Sequence, residues 1–207
     1  MDMMDFSMRF WKKHPAADWP RAWRFALLLL LLWPLAGDAL GSTDNARAEI
    51  TSAYAEVRGE QVMLDLRVDI ALSESMHKAL ENGIALEFVF KADIGVAREW
   101  LWDKNLAKEQ RRYKLAYHAL SENWLLIDLT NREARTFSNL NTALKALSQI
   151  NAWAVAPAEV LPENRRLIGR ARVELSVNEL PLPLRLPALI DPQWSLQSKW
   201  YLWSISE

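Results

Sequence analysis

Between Ile84 and Trp102 the apolar residues fall on even positions: Ile84, Leu86, Phe88, Phe90, Ala92, Ile94, Val96, Trp100 and Trp102. Only Arg98 interrupts them. The odd positions hold Glu87, Lys91, Asp93, Glu99 and Asp103. A period of two sustained this long marks an extended ribbon with one buried and one wet face. A helix would scatter the same residues around its circumference. The ribbon is expected to bend at Gly95. Without a shift of register, both tryptophans point to the core side.

The same period recurs upstream. Val62, Leu64, Leu66, Val68, Ile70 and Leu72 alternate with a set that includes Asp65, Arg67 and Asp69. A turn at Arg58-Gly59-Glu60 leads into this strand from a first one that starts behind Ala48. Ser73 to Gly83 reads as a short helix, with Ser73 as cap, Met76, Ala79 and Leu80 as its inward stripe, and Gly83 as its stop.

Beyond the ribbon, Asp103-Lys104-Asn105 reads as a loop, and a returning strand places Tyr113, Leu115, Tyr117 and Ala119 on one side. Turns at Ser121–Asn123 and Asn131–Glu133 continue the meander through Trp124–Thr130 and Ala134–Phe137. Leu140, Ala143, Leu144, Leu147 and Ile150 predict a second helix, capped by Ser138 or Asn139. A short strand at Ala152–Val155 follows, then a clear one with Leu167, Gly169, Ala171, Val173, Leu175 and Val177 inward. Arg166, Arg170, Arg172 and Glu174 face out. The proline-punctuated stretch from Asn178 to Pro192 is expected to be an extended or edge segment. A last strand is expected over Trp194–Ser206. The total is about eight strands and two short helices. The fold class is mainly β, an antiparallel β-sandwich with two short helices at its edges or ends. The alternative is α+β, one antiparallel sheet with both helices on one face.

The first 48 residues read differently. Arg9, Lys12, Lys13, Arg21 and Arg24 precede an uncharged apolar run from Phe25 to Ala36. That run is shorter than the roughly 20 residues a spanning helix needs. A basic start, a short apolar run and small residues at its exit are the parts of a secretory signal. Cleavage fits after Ala39 or, better, after Ala48; a retained N-terminal anchor is the other reading. The expectation is a periplasmic domain over residues 49–207, with the membrane touched only through the N-terminal segment if it stays attached. That part carries 19 Lys and Arg against 21 Asp and Glu, so nothing in it calls for nucleic acid.

Chemical motifs are scarce. Without cysteine there is no disulfide, no lipid attachment and no thiol nucleophile. His77 and His118 are the two histidines after the signal, and neither has a partner at ligand spacing, so no metal site and no cofactor is expected. There is no glycine-rich phosphate loop and no nucleophile elbow. Asp65, Asp69, Asp93 and Asp128 are the candidate carboxylates for a hydrolase.

The seven tryptophans after the signal, Trp100, Trp102, Trp124, Trp153, Trp194, Trp200 and Trp203, serve equally as core or as contact surface. Arg98 on the apolar stripe must be paired, exposed at the end of the sheet, or shifted by a bulge; Asp103 and Asp128 are its candidate partners.

The ordered motifs REWLWDK, YKLAYHAL, FSNLNTALKALSQINAW, ELPLPLRL and WSLQSKW resemble an uncharacterised family of exported proteobacterial proteins, sometimes labelled proline-rich signal peptide proteins. The likeness runs from about Ala48 to Trp203. It rests on Arg98, Trp100, Trp102, Asp103, Leu115, Tyr117, His118, Leu120, Trp153, Pro181, Pro183, Trp194, Ser198 and Trp200. The resemblance carries no catalytic residue or cofactor. It implies neighbourhood to a membrane sensor kinase and its response regulator, by association only. The expected function is therefore a non-enzymatic envelope protein that works by contact with a protein partner. Arg98, Trp100, Trp102, Asp103, Tyr117, His118, Trp194 and Trp200 are the candidate contact residues. The alternatives are a module that stacks a sugar or small ligand on exposed tryptophan, and a carboxylate hydrolase.

Overall fold

Nine strands and three α-helices make up the part of the chain that the computed structural model describes, residues 45–96, 104–162 and 166–205. In order they are β1 (Arg47–Arg58), β2 (Gln61–Ala71), α1 (Glu74–Glu81), β3 (Leu86–Val96), β4 (Lys104–His118), β5 (Asn123–Asp128), β6 (Glu133–Phe137), α2 (Leu140–Leu147), β7 (Gln149–Pro157), β8 (Leu167–Leu175), α3 (Leu182–Ile190) and β9 (Tyr201–Ile205). All described pairings are antiparallel. One sheet has the order β1-β2-β7, and the other β6-β5-β4-β3-β8-β9.

The two sheets face each other, β1 across from β8 and β9, and β7 across from β3 and β4. This is the sandwich that the alternating pattern predicts, rather than a single sheet. Val62, Leu64 and Leu66 of β2 meet Leu86, Phe88, Phe90 and Ile94 of β3 in one core. The larger sheet overhangs the smaller one, and α2 covers the overhang by packing on β5 and β6 through Ala143 and Leu147. Helix α1 buries Met76, Ala79 and Leu80 and reaches the short 3-10 turn Pro192–Trp194. No helix among the described residues is long and apolar enough to cross a membrane.

Several expectations need correction. Lys104 and Asn105 belong to β4, not to a loop, because they pair with Val96 and Gly95. Where a bend at Gly95 is expected, the register shifts: Ile94 pairs with Ala107 and Gly95 with Asn105, so β4 carries an extra residue while β3 continues to Val96. Ile150 lies in β7 and pairs with Leu66, so the second helix ends at Leu147. The final strand starts only at Tyr201, since Trp194 sits in the 3-10 turn and Gln197 forms an isolated bridge to Glu174.

The largest correction is α3, a helix where an extended segment was expected. Pro183 lies in its first turn, where a missing N–H leaves nothing unsatisfied. Pro187 removes one internal hydrogen bond, a loss that a short surface helix tolerates once it is anchored. Leu180 and Ala188 are buried and supply the anchor, and the Arg185 Nε donates to the Leu180 carbonyl at 2.7 Å. Apolar docking overrides proline's propensity here.

Candidate functional site

Strand β3 is buried on both faces, although only one faces the smaller sheet. Its odd residues Glu87, Val89, Lys91 and Asp93 point outward and lie beneath long side chains from β4 and β8. Register explains the arrangement. Val89 stands between Arg112 and Glu174, Lys91 next to Arg172, and Asp93 between Lys108 and Arg170.

These neighbours form a lattice of ion pairs. Arg170 donates from Nε and Nη2 to Asp93 Oδ2, at 2.9 and 2.7 Å. Glu174 takes Lys91 on one oxygen, and Arg172 at 3.1 Å and Gln197 at 3.0 Å on the other. Arg112 Nη1 stands 3.5 Å from Glu87 Oε1. The carboxylates lie low and the cations high, since Arg and Lys lay their stems along the sheet and lift their heads toward water. The Glu87 side chain is 4% exposed and its partner Arg112 45%. Burial, and the charge of Glu179 after it, push the Glu87 carboxyl up, against Arg112 and Lys114. Burial also opposes ionisation of Glu174, but the Lys91 and Gln197 hydrogen bonds and the Arg172 charge outweigh it and hold that carboxyl below the usual range.

Trp200 covers this lattice. The Arg170 and Arg172 guanidinium carbons each lie 4.7 Å from its ring centre, a geometry in which the ring quadrupole attracts both cations. The ring is held there by its neighbours. Ser198 is buried, its hydroxyl accepting from the Val173 N–H at 3.0 Å while its own N–H donates to the Val173 carbonyl at 2.9 Å. Tyr201 then pairs with Ala171. Across β4, β3 and β8 the outer face presents Lys91, Lys108, Arg112, Lys114, Arg170 and Arg172 over Glu87, Asp93 and Glu174, an excess of positive charge on a chain of net charge −1. Beside Trp200 opens a cleft of about 350 Å³ that Arg47, Ile50 and Lys199 also line.

The other candidate residues lie elsewhere. Tyr117 is on the inner side of β4 and packs on Trp124, ring centres 4.8 Å apart. His118 is exposed, with Nδ1 3.0 Å from the Ser121 hydroxyl in the β4–β5 turn. Trp194 is buried. Tyr117 and Trp200 are thus on opposite faces of the large sheet and are not brought together. Arg98, Trp100, Trp102 and Asp103 lie outside the described residues. Asp128, named as a partner for Arg98, accepts the backbone N–H groups of Thr130 (2.9 Å) and Asn131 (3.2 Å), with Arg111 Nε 3.9 Å away. The residues that sequence reading passed over are Lys91, Arg170 and Arg172. The signal for them is there, because outward Arg170, Arg172 and Glu174 match Lys91 and Asp93 in period and sign once β3 and β8 are neighbours.

The carboxylates named for hydrolysis are engaged in structure. Asp65 accepts the Ala152 N–H at 2.7 Å, and Asp69 pairs with Arg47 at 3.1 Å, both on the smaller sheet. Asp93 lies on the outer face of the larger one, so it cannot face either of them. Among the described residues no three His, Cys, Asp or Glu side chains cluster to hold a metal ion.

Fold and surface together define a β-sandwich domain with a cation-rich face under one tryptophan. Residues 45–204 match the family described as Domain of unknown function (DUF4390), and the chain belongs to that family. No curated protein matches the chain, and no solved structure does.

Proposed function

We propose that this protein is an exported, periplasmic component of the cell envelope that acts without catalysis, by binding an acidic surface of a protein partner through the Trp200 face. The partner belongs to a membrane sensor kinase system. The observation that carries the contact is Trp200 laid over Arg170 and Arg172 on a fixed ion-pair lattice. Tryptophan and arginine are the usual anchors of protein interfaces, and side chains already held by ion pairs lose little further freedom on binding. Charges of both signs suit a protein surface better than a nucleic acid. The basic start and short apolar run before Ala36 support export. The sugar-stacking reading has less support, since Trp153 and Trp194 are buried and Trp200 already carries two guanidiniums. Engagement of Asp65, Asp69, Asp93 and Asp128 in ion pairs and backbone caps weighs against the hydrolase.

A photo-crosslinking residue at Lys199 tests the proposal in cells. It should trap one envelope protein, and Trp200→Ala or Arg172→Glu should abolish the adduct while the β-sheet circular dichroism at the temperature of the experiment stays unchanged. An adduct indifferent to both substitutions, or recovery of the protein in the cytosol, overturns it.

A further inference from the structure

Helix α3 presents Leu182, Leu186, Leu189 and Ile190 to solvent, 75, 74, 65 and 85% exposed. Positions i, i+4, i+7 and i+8 share one side of a helix. Pro183 and Pro187 are exposed as well, while Leu184 and the buried Ala188 hold the helix to the domain. A contiguous aliphatic patch of this kind marks a contact site rather than an ordinary surface.

We propose that this side of α3 rests on a lipid bilayer, its leucines at the boundary between headgroups and acyl chains. The folded domain then has a membrane contact of its own, distinct from the N-terminal segment and independent of the reading of the Trp200 face.

Three observations select a lipid surface. The four side chains are all aliphatic, with no aromatic ring and no hydrogen-bonding group among them. The one charge on the helix, Arg185, is turned back onto the Leu180 carbonyl at 2.7 Å. Protein hot spots are anchored by Trp, Tyr and Arg, with Leu under-represented, whereas leucine is a usual residue on the side that an interfacial helix buries in a bilayer boundary. The patch is also small. Such a patch covers roughly a few hundred Å², short of the roughly 800 Å² each partner buries in a standard interface, so a second copy of the chain gains too little from it.

The third observation is where the chain enters the domain. Arg47 opens β1 and pairs with Ala71; two residues further, the Ser73 hydroxyl donates to the Gln193 carbonyl at 2.6 Å, three residues past Ile190. The start of the domain and the end of α3 therefore share one end of the sandwich. Ten residues separate the apolar run Phe25–Ala36 from Arg47, a reach of at most about 40 Å. If that run is held in a membrane, α3 is within reach of the same surface. A groove of about 610 Å³ beside α3 is lined by Glu174 and Gln197, which also belong to the Trp200 lattice, so contact through α3 sets that face next to the bilayer.

The test uses the full chain, which has no cysteine. Leu186→Cys and, in a second protein, Leu189→Cys are labelled with a polarity-sensitive NBD fluorophore and mixed with phosphatidylethanolamine–phosphatidylglycerol vesicles. Leu120→Cys, in the exposed β4–β5 turn, is the control. The expected result is a blue shift and quenching by nitroxide lipids at 186 and 189, with neither at 120. Adding Leu182→Glu and Ile190→Glu should remove both signals while the β-sheet circular dichroism stays unchanged. Labels at 186 and 189 that remain in water when the chain is vesicle-bound overturn the proposal. So does a blue shift that rises with protein concentration without lipid, which is a self-association surface, or one that needs an added envelope protein.

Discussion

Gly169 and Trp203 face each other across the β8–β9 pair, and the indole lies so close over the glycine that a methyl group there would overlap the ring. Gly169→Ala must therefore push Trp203 off β8. The expected loss is about 1–3 kcal/mol, the range for overfilling a packed site, read from urea unfolding with a red shift of tryptophan emission. Adding Trp203→Leu should recover part of it. An alanine variant as stable as the parent would mean that the ring does not occupy this place.

Glu174 gives the stability of the outer face a pH dependence. Its carboxyl is held below the usual range, so its pairing contributes fully above the unfolded value and is lost as pH falls through the folded one. Glu174→Gln should lose roughly 1–3 kcal/mol at neutral pH, and the difference should close in acid. Glu87 runs the other way. Its carboxyl is pushed up, first by burial, so its ionisation weakens the fold as pH rises. Glu87→Gln should gain on the parent between acid and neutral pH. Melting curves over that range check both signs.

Strand β7 contains a bulge clamped from β2. Leu64 pairs with Trp153 but Leu66 with Ile150, and Ala152 between them adopts φ 47°. Its N–H donates to Asp65 Oδ1 at 2.7 Å. Asp65→Ala should cost about 1 kcal/mol. Ala152→Gly should stabilise by up to about 1 kcal/mol, as glycine meets no penalty in the left-handed region. Thermal unfolding of the two variants should shift in opposite directions.

The two helix caps should differ in weight. The Asn139 side chain accepts from the Thr142 N–H at 2.9 Å on an exposed helix end. The Ser73 hydroxyl is fully buried, accepts from the Met76 N–H at 3.3 Å and donates to Gln193, tying α1 to the turn below α3. Asn139→Ala should cost about 1 kcal/mol. Ser73→Ala should cost about 2 kcal/mol, because the Gln193 contact is lost as well, and hydrogen exchange should quicken around residues 191–196.

How much could be read from the sequence follows from what each pattern encodes. Alternation in Val62–Leu72 and Ile84–Val96 specified the strands and their inward faces because burial on one side writes a period of two. Ser73 and Asn139 announced their helices through cap chemistry. Helix α3 was illegible, since its prolines argue against a helix and only the distant anchor of Leu180 and Ala188 reverses that. The ion-pair lattice was half legible. The outward charges of β8 were visible, but their partners on β3 emerge only when strands separated by more than seventy residues become neighbours. Trp200 was named among the contact residues without a way to tell that it sits over arginines while Trp194 is buried.

The pairing of β3 with β8 also sets the order in which the molecule can assemble. A chain that emerges amino end first completes the β1–β2 hairpin early. β3 then has β4 on one side and an open edge on the other until Leu167–Leu175 arrives. That edge carries Phe88, Phe90 and Ile94 and is sticky for as long as it waits. Folding that waits on so distant a closure is slow, and the unpaired edge of β3 is where association between partly folded chains is expected to begin.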